Sequence, residues 1–256
     1  MKEKKIDSKV WPTLITLGNL FCGFLAISYI ADEKILAAAW LIFLGMIFDM
    51  FDGKVARMTN GSSDFGIQLD SLADMISFGV APAFLVKTFI LTEEFLWSQK
   101  IVWGLCLFFV ICSAVRLAKF NVETDENDSH TYFYGLATPA AAGVLASLVL
   151  VAKTVSINMY VPENTYKIAL LITTGILGCL MVSQIRYLHA GAFLFKKRPL
   201  FLQLVVYASL LALIIYYFSL ITVLLCSTFL IYTISGIANE LKIRSSAKND
   251  DLASAH

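Results

Sequence analysis

Apolar residues in this chain come in long runs rather than in alternation. Eight runs approach the length of about 20 residues that a helix needs to cross a hydrocarbon core: 12–31, 34–57, 66–91, 100–120, 135–153, 166–184, 199–217 and 219–239. The longest polar connections are "VETDENDSHTY" after the fourth run, "TVSINMYVPENTYK" after the fifth and "YLHAGAFLFKKRP" after the sixth. The pattern predicts an all-α, polytopic helical bundle of about eight transmembrane helices. It forms one domain over 1–256, with polar tails at about 1–10 and 242–256. The tail "SSAKNDDLASAH" is polar and aromatic-free, so it is expected to be disordered and dispensable for chemistry. The first run follows a basic start, as in a signal peptide, but it is long and lacks a clear small-residue cleavage site, which makes it a retained anchor. No internal repeat is visible, so an inverted-repeat transporter gains no support.

Composition agrees: 58% of residues are hydrophobic and 15% charged, far from an ordinary soluble domain. The net charge of +1 says little, but its placement is informative. With eight spans and both termini on one side, that side carries 15 of the 20 Lys and Arg residues. By the positive-inside rule that side is cytoplasmic, which predicts a protein of the cell membrane with both termini inside. No feature points to nucleic acid. All five cysteines lie in apolar runs without metal-ligand spacing and read as packing residues. His130, His189 and His256 read as solvated loop or tail residues.

One stretch breaks the apolar pattern: "FDMFDGKVARMTNGSSDFGIQLDSLADM", from Phe48 to Met75. A carboxylate inside a membrane span is expensive and by default functional. Residues three and four apart share a helix face, which groups Asp49, Asp52, Gly53 and Ala56 on the second span and Gly66, Asp70 and Asp74 on the third. Asn60-Gly61 reads as a turn, and Ser62, Ser63 or Asp64 as the cap of the next helix, so the two acidic faces converge on the cytoplasmic side. Four carboxylates together need compensation. Hard divalent cations supply it, Mg²⁺ or Mn²⁺ with Ca²⁺ as a third option, and the ligand count allows two ions about 3.5–4 Å apart. Such a pair would hold phosphates. Gly53 and Ala56 would leave room for a nucleotide diphosphate and Arg57 would offer it a forked donor. The alternative is that the small residues only let helices pack and that Lys54 and Arg57 are interfacial anchors.

These residues fill the pattern Asp-x2-Asp-Gly-x2-Ala-Arg-x8-Gly-x3-Asp-x3-Asp without departure, at Asp49, Asp52, Gly53, Ala56, Arg57, Gly66, Asp70 and Asp74. The chain thereby resembles the CDP-alcohol phosphatidyltransferase family. "TLGNLFCGFLAI", "DSLADMISFGVAPA", "RLAKFNVET" and "GLATPAAAG" are similar to the branch of that family that takes L-serine as acceptor. The resemblance implies transfer of a phosphatidyl group from CDP-diacylglycerol to serine, with release of CMP, by a metal-dependent and commonly homodimeric membrane enzyme. It implies metal ligation by Asp49, Asp52 and Asp70, and a general-base role for Asp74, which is also a possible fourth ligand. CDP would be bound by Asp49, Asp52, Gly53, Ala56, Arg57 and Gly66.

Three further residues are candidates. Arg116 and Asn121, in "RLAKFN", would hold the carboxylate and ammonium of the acceptor serine, whereas Lys119 reads as a snorkelling residue. Asn19, polar within an oily span, would reach the cytosine, a ligating aspartate or a neighbouring helix. The basic group Arg186, Lys196, Lys197 and Arg198 suits anionic lipid. Direct displacement by serine is the expected route, since a positioned carboxylate can take the hydroxyl proton during attack. The rivals are the same chemistry with glycerol phosphate or inositol phosphate as acceptor, an archaeal ether-lipid donor, and, in a different class, a divalent-cation transporter lined by the aspartates.

Overall fold

The computed structural model describes residues 10–59, 64–91, 98–126, 132–154, 162–188 and 218–254. Helices α1 (Val10–Ala31) and α2 (Ile35–Thr59) form an antiparallel hairpin. At 22 and 25 residues they are about 33 and 38 Å long, enough to cross a bilayer. Their turn is a Schellman closure: Glu33 N–H donates to the Ile30 carbonyl at 3.0 Å and Lys34 N–H to that of Tyr29 at 2.8 Å. Glu33 takes the left-handed position with φ of 61°, where glycine is usual. The buried face of α1 runs through Pro12, Thr16, Asn19, Cys22, Gly23, Ala26 and Ile30, at steps of three and four.

The third span is not one regular helix. Helix α3 (Asp64–Asp74) passes through a π-helical turn (Met75–Val80) into α4 (Ala81–Leu91). The Ala81 N–H reaches back five residues to the Ile76 carbonyl. Pro82 gives the cause: a proline lacks the N–H that its i−4 carbonyl expects and its ring presses on that carbonyl. Widening the preceding turn lets the helix continue without a break.

Helix α5 (Gln99–Glu126) continues past the expected boundary near 120, so the start of "VETDENDSHTY" is helical. Strand β1 (Tyr132–Tyr134) pairs antiparallel with β2 (Arg186–Leu188) in a two-stranded ribbon, a small exception to the helices that otherwise make up the described residues. Gly135 follows β1 with φ of 83° and makes the close approach there: a Cβ on it would lie 2.4 Å from the Met181 carbonyl oxygen.

Helix α6 (Thr138–Thr154) sits in the centre, buried along most of its length. Its Ala- and Gly-rich surface suits close helix approach; a Cβ on Gly143 would fall 2.5 Å from the ring of Phe229. Helix α7 (Glu163–Val182) packs on α5, and its buried Lys167 pairs with Glu163 at 2.7 Å. Helix α8 (Phe218–Ser254) starts where Thr222 meets Thr154 at 3.1 Å, the end of the bundle away from β2.

Six helices among the described residues are long and apolar enough to cross a membrane: 12–31, 35–53, 64–91, 99–122, 163–182 and 222–243. Helix α6 is apolar but shorter. The expected span 199–217 lies outside the described residues, as do the three histidines, the turn at Asn60-Gly61 with Ser62 and Ser63, and Lys196, Lys197 and Arg198. The C-terminal tail corrects an expectation: instead of a disordered segment from Ser245, α8 runs on to Ser254. The anchored span has already nucleated the helix, and a tail free of Gly and Pro prolongs it. Of the cysteines, Cys22, Cys106, Cys112 and Cys226 are buried as expected, while Cys179 is exposed.

Candidate metal and nucleotide site

The last turns of α2 bring Asp49 and Asp52 to the same end of the bundle as Asp70 and Asp74 at the close of α3. Asp49, Asp70 and Asp74 each offer an oxygen within 4.8 Å of the others, close enough to share one cation. Asp52, expected as an equal ligand, stands beside this trio: its carboxylate contacts Asp70, Thr16 and the backbone N–H of Gly53. Asp52 Oδ2 and Asp70 Oδ1 are buried without a hydrogen bond among the described residues. Buried carboxylate oxygens lacking donors, next to three converging carboxylates, are what a hard cation would satisfy, so the donor set fits a divalent metal.

Gly53 is exposed, and a Cβ built on it would meet nothing within 4 Å. Close helix packing therefore does not explain this glycine. It leaves open space one residue from Asp52. Gly66 lies half-buried on α3, and Ala56 and Arg57 fall in the last turns of α2, with side chains outside the described part of the structure. Asp64, expected as a cap, is the first residue of α3, where its charge suits the helix N-terminus.

Asn19 is fully buried and donates from Nδ2 to Asp74 Oδ1 at 2.9 Å. Of the three partners considered for it, the structure supplies the aspartate. Arg116 is buried near the end of α5, with its guanidinium 5.4 Å from the Phe120 ring and close to Tyr232 of α8. Asn121 is half-buried and donates to Ser71 Oγ at 2.8 Å, and that hydroxyl in turn donates to the Ile67 carbonyl at 3.1 Å. Asn121 thus sits one residue from Asp70, across a helix–helix contact.

Sequence reasoning passed over Thr16, Ser71 and Ser77. Ser77 Oγ donates to the backbone carbonyl of Asn19 at 2.9 Å, joining α1 to the π-turn. Thr16 and Asn19 are three apart, a polar pair on one face of an apolar helix, and that spacing was the available signal.

The described residues bring the aspartates together at one end of the bundle, with no second trio of potential ligands elsewhere among them. That suits a site at a membrane face rather than a conduit. Comparison with known proteins agrees. The family profile described as CDP-alcohol phosphatidyltransferase matches residues 9–176. The chain is 38% identical over 207 residues to a CDP-diacylglycerol–serine O-phosphatidyltransferase of Helicobacter pylori, covering 78% of this chain and 81% of that one. It is 34% identical over 228 residues to a protein of the same name from Methanocaldococcus jannaschii, covering 89% and 92%. An archaetidylserine synthase of Methanothermobacter thermautotrophicus is 39% identical over 154 residues, covering 59% and 62%. The chain belongs to the CDP-alcohol phosphatidyltransferase family and is a membrane-embedded transferase.

Proposed function

We propose that the protein transfers the phosphatidyl group of CDP-diacylglycerol to the hydroxyl of L-serine, giving phosphatidylserine and CMP. The observation that carries the reading is the convergence of Asp49, Asp70 and Asp74 beside the open space over Gly53, inside a complete family motif. The names of the relatives support serine as acceptor.

Asp49, Asp70 and Asp74 would hold a divalent metal, with Asp52 adjoining and able to complete a second ion's shell. A bound metal supplies positive charge where the diphosphate carries negative charge and where CMP leaves. The chain's own residues do the rest. Gly53 keeps backbone accessible to the nucleotide, and Ala56, Arg57 and Gly66 complete the CDP pocket. Asp74 accepts the proton of the serine hydroxyl as that oxygen attacks phosphorus in a direct displacement. Arg116 and Asn121, at the neighbouring end of α5, bind the carboxylate and ammonium of serine. The distribution of basic residues supports a site facing the cytoplasm, in the plasma membrane. The family resemblance supports a homodimer.

The test is serine-dependent CMP release from CDP-diacylglycerol by the purified protein, with and without a chelator. Release that requires both serine and metal is the expected result; equal release with glycerol phosphate or inositol phosphate in place of serine would overturn the acceptor. The similarity to an archaetidylserine synthase favours one second reading, an ether-linked donor. CDP-archaeol offered beside CDP-diacylglycerol distinguishes them.

A further inference from the structure

We infer that Asn19 is a positioning residue that fixes the rotamer of Asp74, holding one carboxylate oxygen so that the other is presented to Asp49 and Asp70. The inference rests on the reading of those three aspartates as metal ligands, and it departs from a CDP-contact role for Asn19.

The geometry is specific. Asn19 is 0% exposed, so no substrate group reaches it in this arrangement. Its Nδ2 donates to Asp74 Oδ1 at 2.9 Å, while its own Oδ1 is buried without a donor among the described residues. A carboxylate accepts and does not donate, so the amide must turn its nitrogen to Asp74, and the orphaned carbonyl is the consequence. A buried acceptor without a donor destabilises the fold. Packing alone would be better served by an apolar residue of the same shape, which points to a task for the amide at Asp74.

Three elements hold Asn19 in place. Its backbone carbonyl accepts from Ser77 Oγ at 2.9 Å, which ties α1 to the π-turn immediately after Asp74. Gly23, one turn along α1, lets that contact close: a Cβ there would lie 2.8 Å from Ser77 Cα. On the other side, a Cβ on Gly45 of α2 would stand 3.0 Å from Asn19 Oδ1. The side chain therefore sits in a slot bounded by α1, α2 and the π-turn, with Asp74 as its one hydrogen-bonded side-chain partner among the described residues. Groups that orient a ligating carboxylate in this way commonly change metal affinity or activity about 10- to 100-fold when removed.

The experiment compares wild type, Asn19→Leu and Gly45→Ala as full-length protein in detergent. Three quantities are read: thermal midpoint, affinity for Mn²⁺ alone by the electron paramagnetic resonance of free Mn²⁺, and kcat and KM for CMP release. Asn19→Leu removes the amide at nearly constant shape. The expected result is a folded protein whose thermal midpoint is unchanged or lowered, because the orphaned amide oxygen is removed but buried Asp74 Oδ1 loses its donor, with Mn²⁺ affinity and kcat each lowered about tenfold or more and KM for the CDP-lipid within twofold. Gly45→Ala displaces Asn19 without removing it and is expected to shift Mn²⁺ affinity the same way by a smaller factor.

A folded Asn19→Leu protein with wild-type Mn²⁺ affinity and kcat overturns the inference. So does a rise in KM for the CDP-lipid with kcat unchanged, which would make Asn19 a nucleotide contact. If Asn19→Leu does not fold, Gly45→Ala decides: weakened Mn²⁺ binding supports the inference and unchanged binding overturns it. A wild-type protein that binds no Mn²⁺ removes the metal-ligand reading itself, a separate result from a mutant that matches a Mn²⁺-binding wild type.

Discussion

Replacing Gly53 with alanine should make the protein more stable and less active. Gly53 lies within α2, where glycine is worse than alanine by about 1 kcal/mol because it loses more backbone freedom on folding. A Cβ at this position meets nothing within 4 Å, so no steric term opposes the gain. A gain of about 1 kcal/mol is roughly a fivefold change in the folded-to-unfolded ratio, or about 2–4 °C in the unfolding midpoint of a protein of this size. The same methyl group projects into the space beside Asp52 that the nucleotide diphosphate is proposed to occupy. Displacing a reacting group by about 1 Å can lower the rate about 100-fold, so CMP release should fall at least tenfold, with KM for CDP-diacylglycerol rising. Thermal unfolding and CMP release, measured on one preparation, check both halves. Gly143→Ala is the contrast: its Cβ would press on Phe229 at 2.5 Å, and the overpacking should cost about 1–3 kcal/mol. A Gly53→Ala protein that is stabilised and fully active would refute the argument that the space over Gly53 is kept for substrate.

Asp74→Asn should lower kcat by about 10²–10⁴-fold, the usual worth of a general base, while the new amide oxygen still accepts from Asn19 and the fold survives; turnover within twofold of wild type would remove Asp74 from proton transfer. A chelator should abolish CMP release and Mn²⁺ or Mg²⁺ should restore it, with Asp49→Asn or Asp70→Asn requiring more metal for half-maximal rate in a titration. Glu33→Gly relieves a left-handed backbone at the end of the bundle remote from the aspartates, so the unfolding midpoint should rise by an amount equivalent to about 1 kcal/mol with activity unchanged. Gly135→Ala should destabilise by about 1–3 kcal/mol, since it meets both an unfavourable φ and the Met181 carbonyl oxygen; thermal unfolding tests both.

The membrane helices were legible because hydropathy sets their length and the bilayer sets what length suffices. The acidic site was legible for a related reason: in an apolar span every charge stands out, and steps of three and four assign it to a face. What escaped was whatever depends on partners distant in the chain. Nothing in "DSLADMISFGVAPA" taken as a hydropathy pattern reveals a π-turn; the cue was Pro82, whose effect appears only when the preceding carbonyls are counted. The bond of Asn121 to Ser71 spans 50 positions, so its place beside the segment that carries Asp70 leaves no trace in the local pattern. Asp52 and Asp49 look equivalent as text, yet they differ in the structure because Thr16 and Gly53 N–H face one and not the other. Helix α8 outran its expected end because polarity was read as disorder, whereas an existing helix needs only the absence of breakers to continue.

The π-turn after Asp74 also separates two inheritances. One added residue advances the helical phase by about 100°, so the face that carries Asp70 and Asp74 and the face by which α4 packs into the bundle are no longer tied to one stripe. Sequence change in α4 can rework that packing without turning the carboxylates away from Asp49, and the acidic segment can be tuned without unseating the helix that follows. Deleting one residue between Met75 and Val80 would rejoin the two stripes and force a choice between them: either the acid cluster or the helix packing would have to face the wrong way.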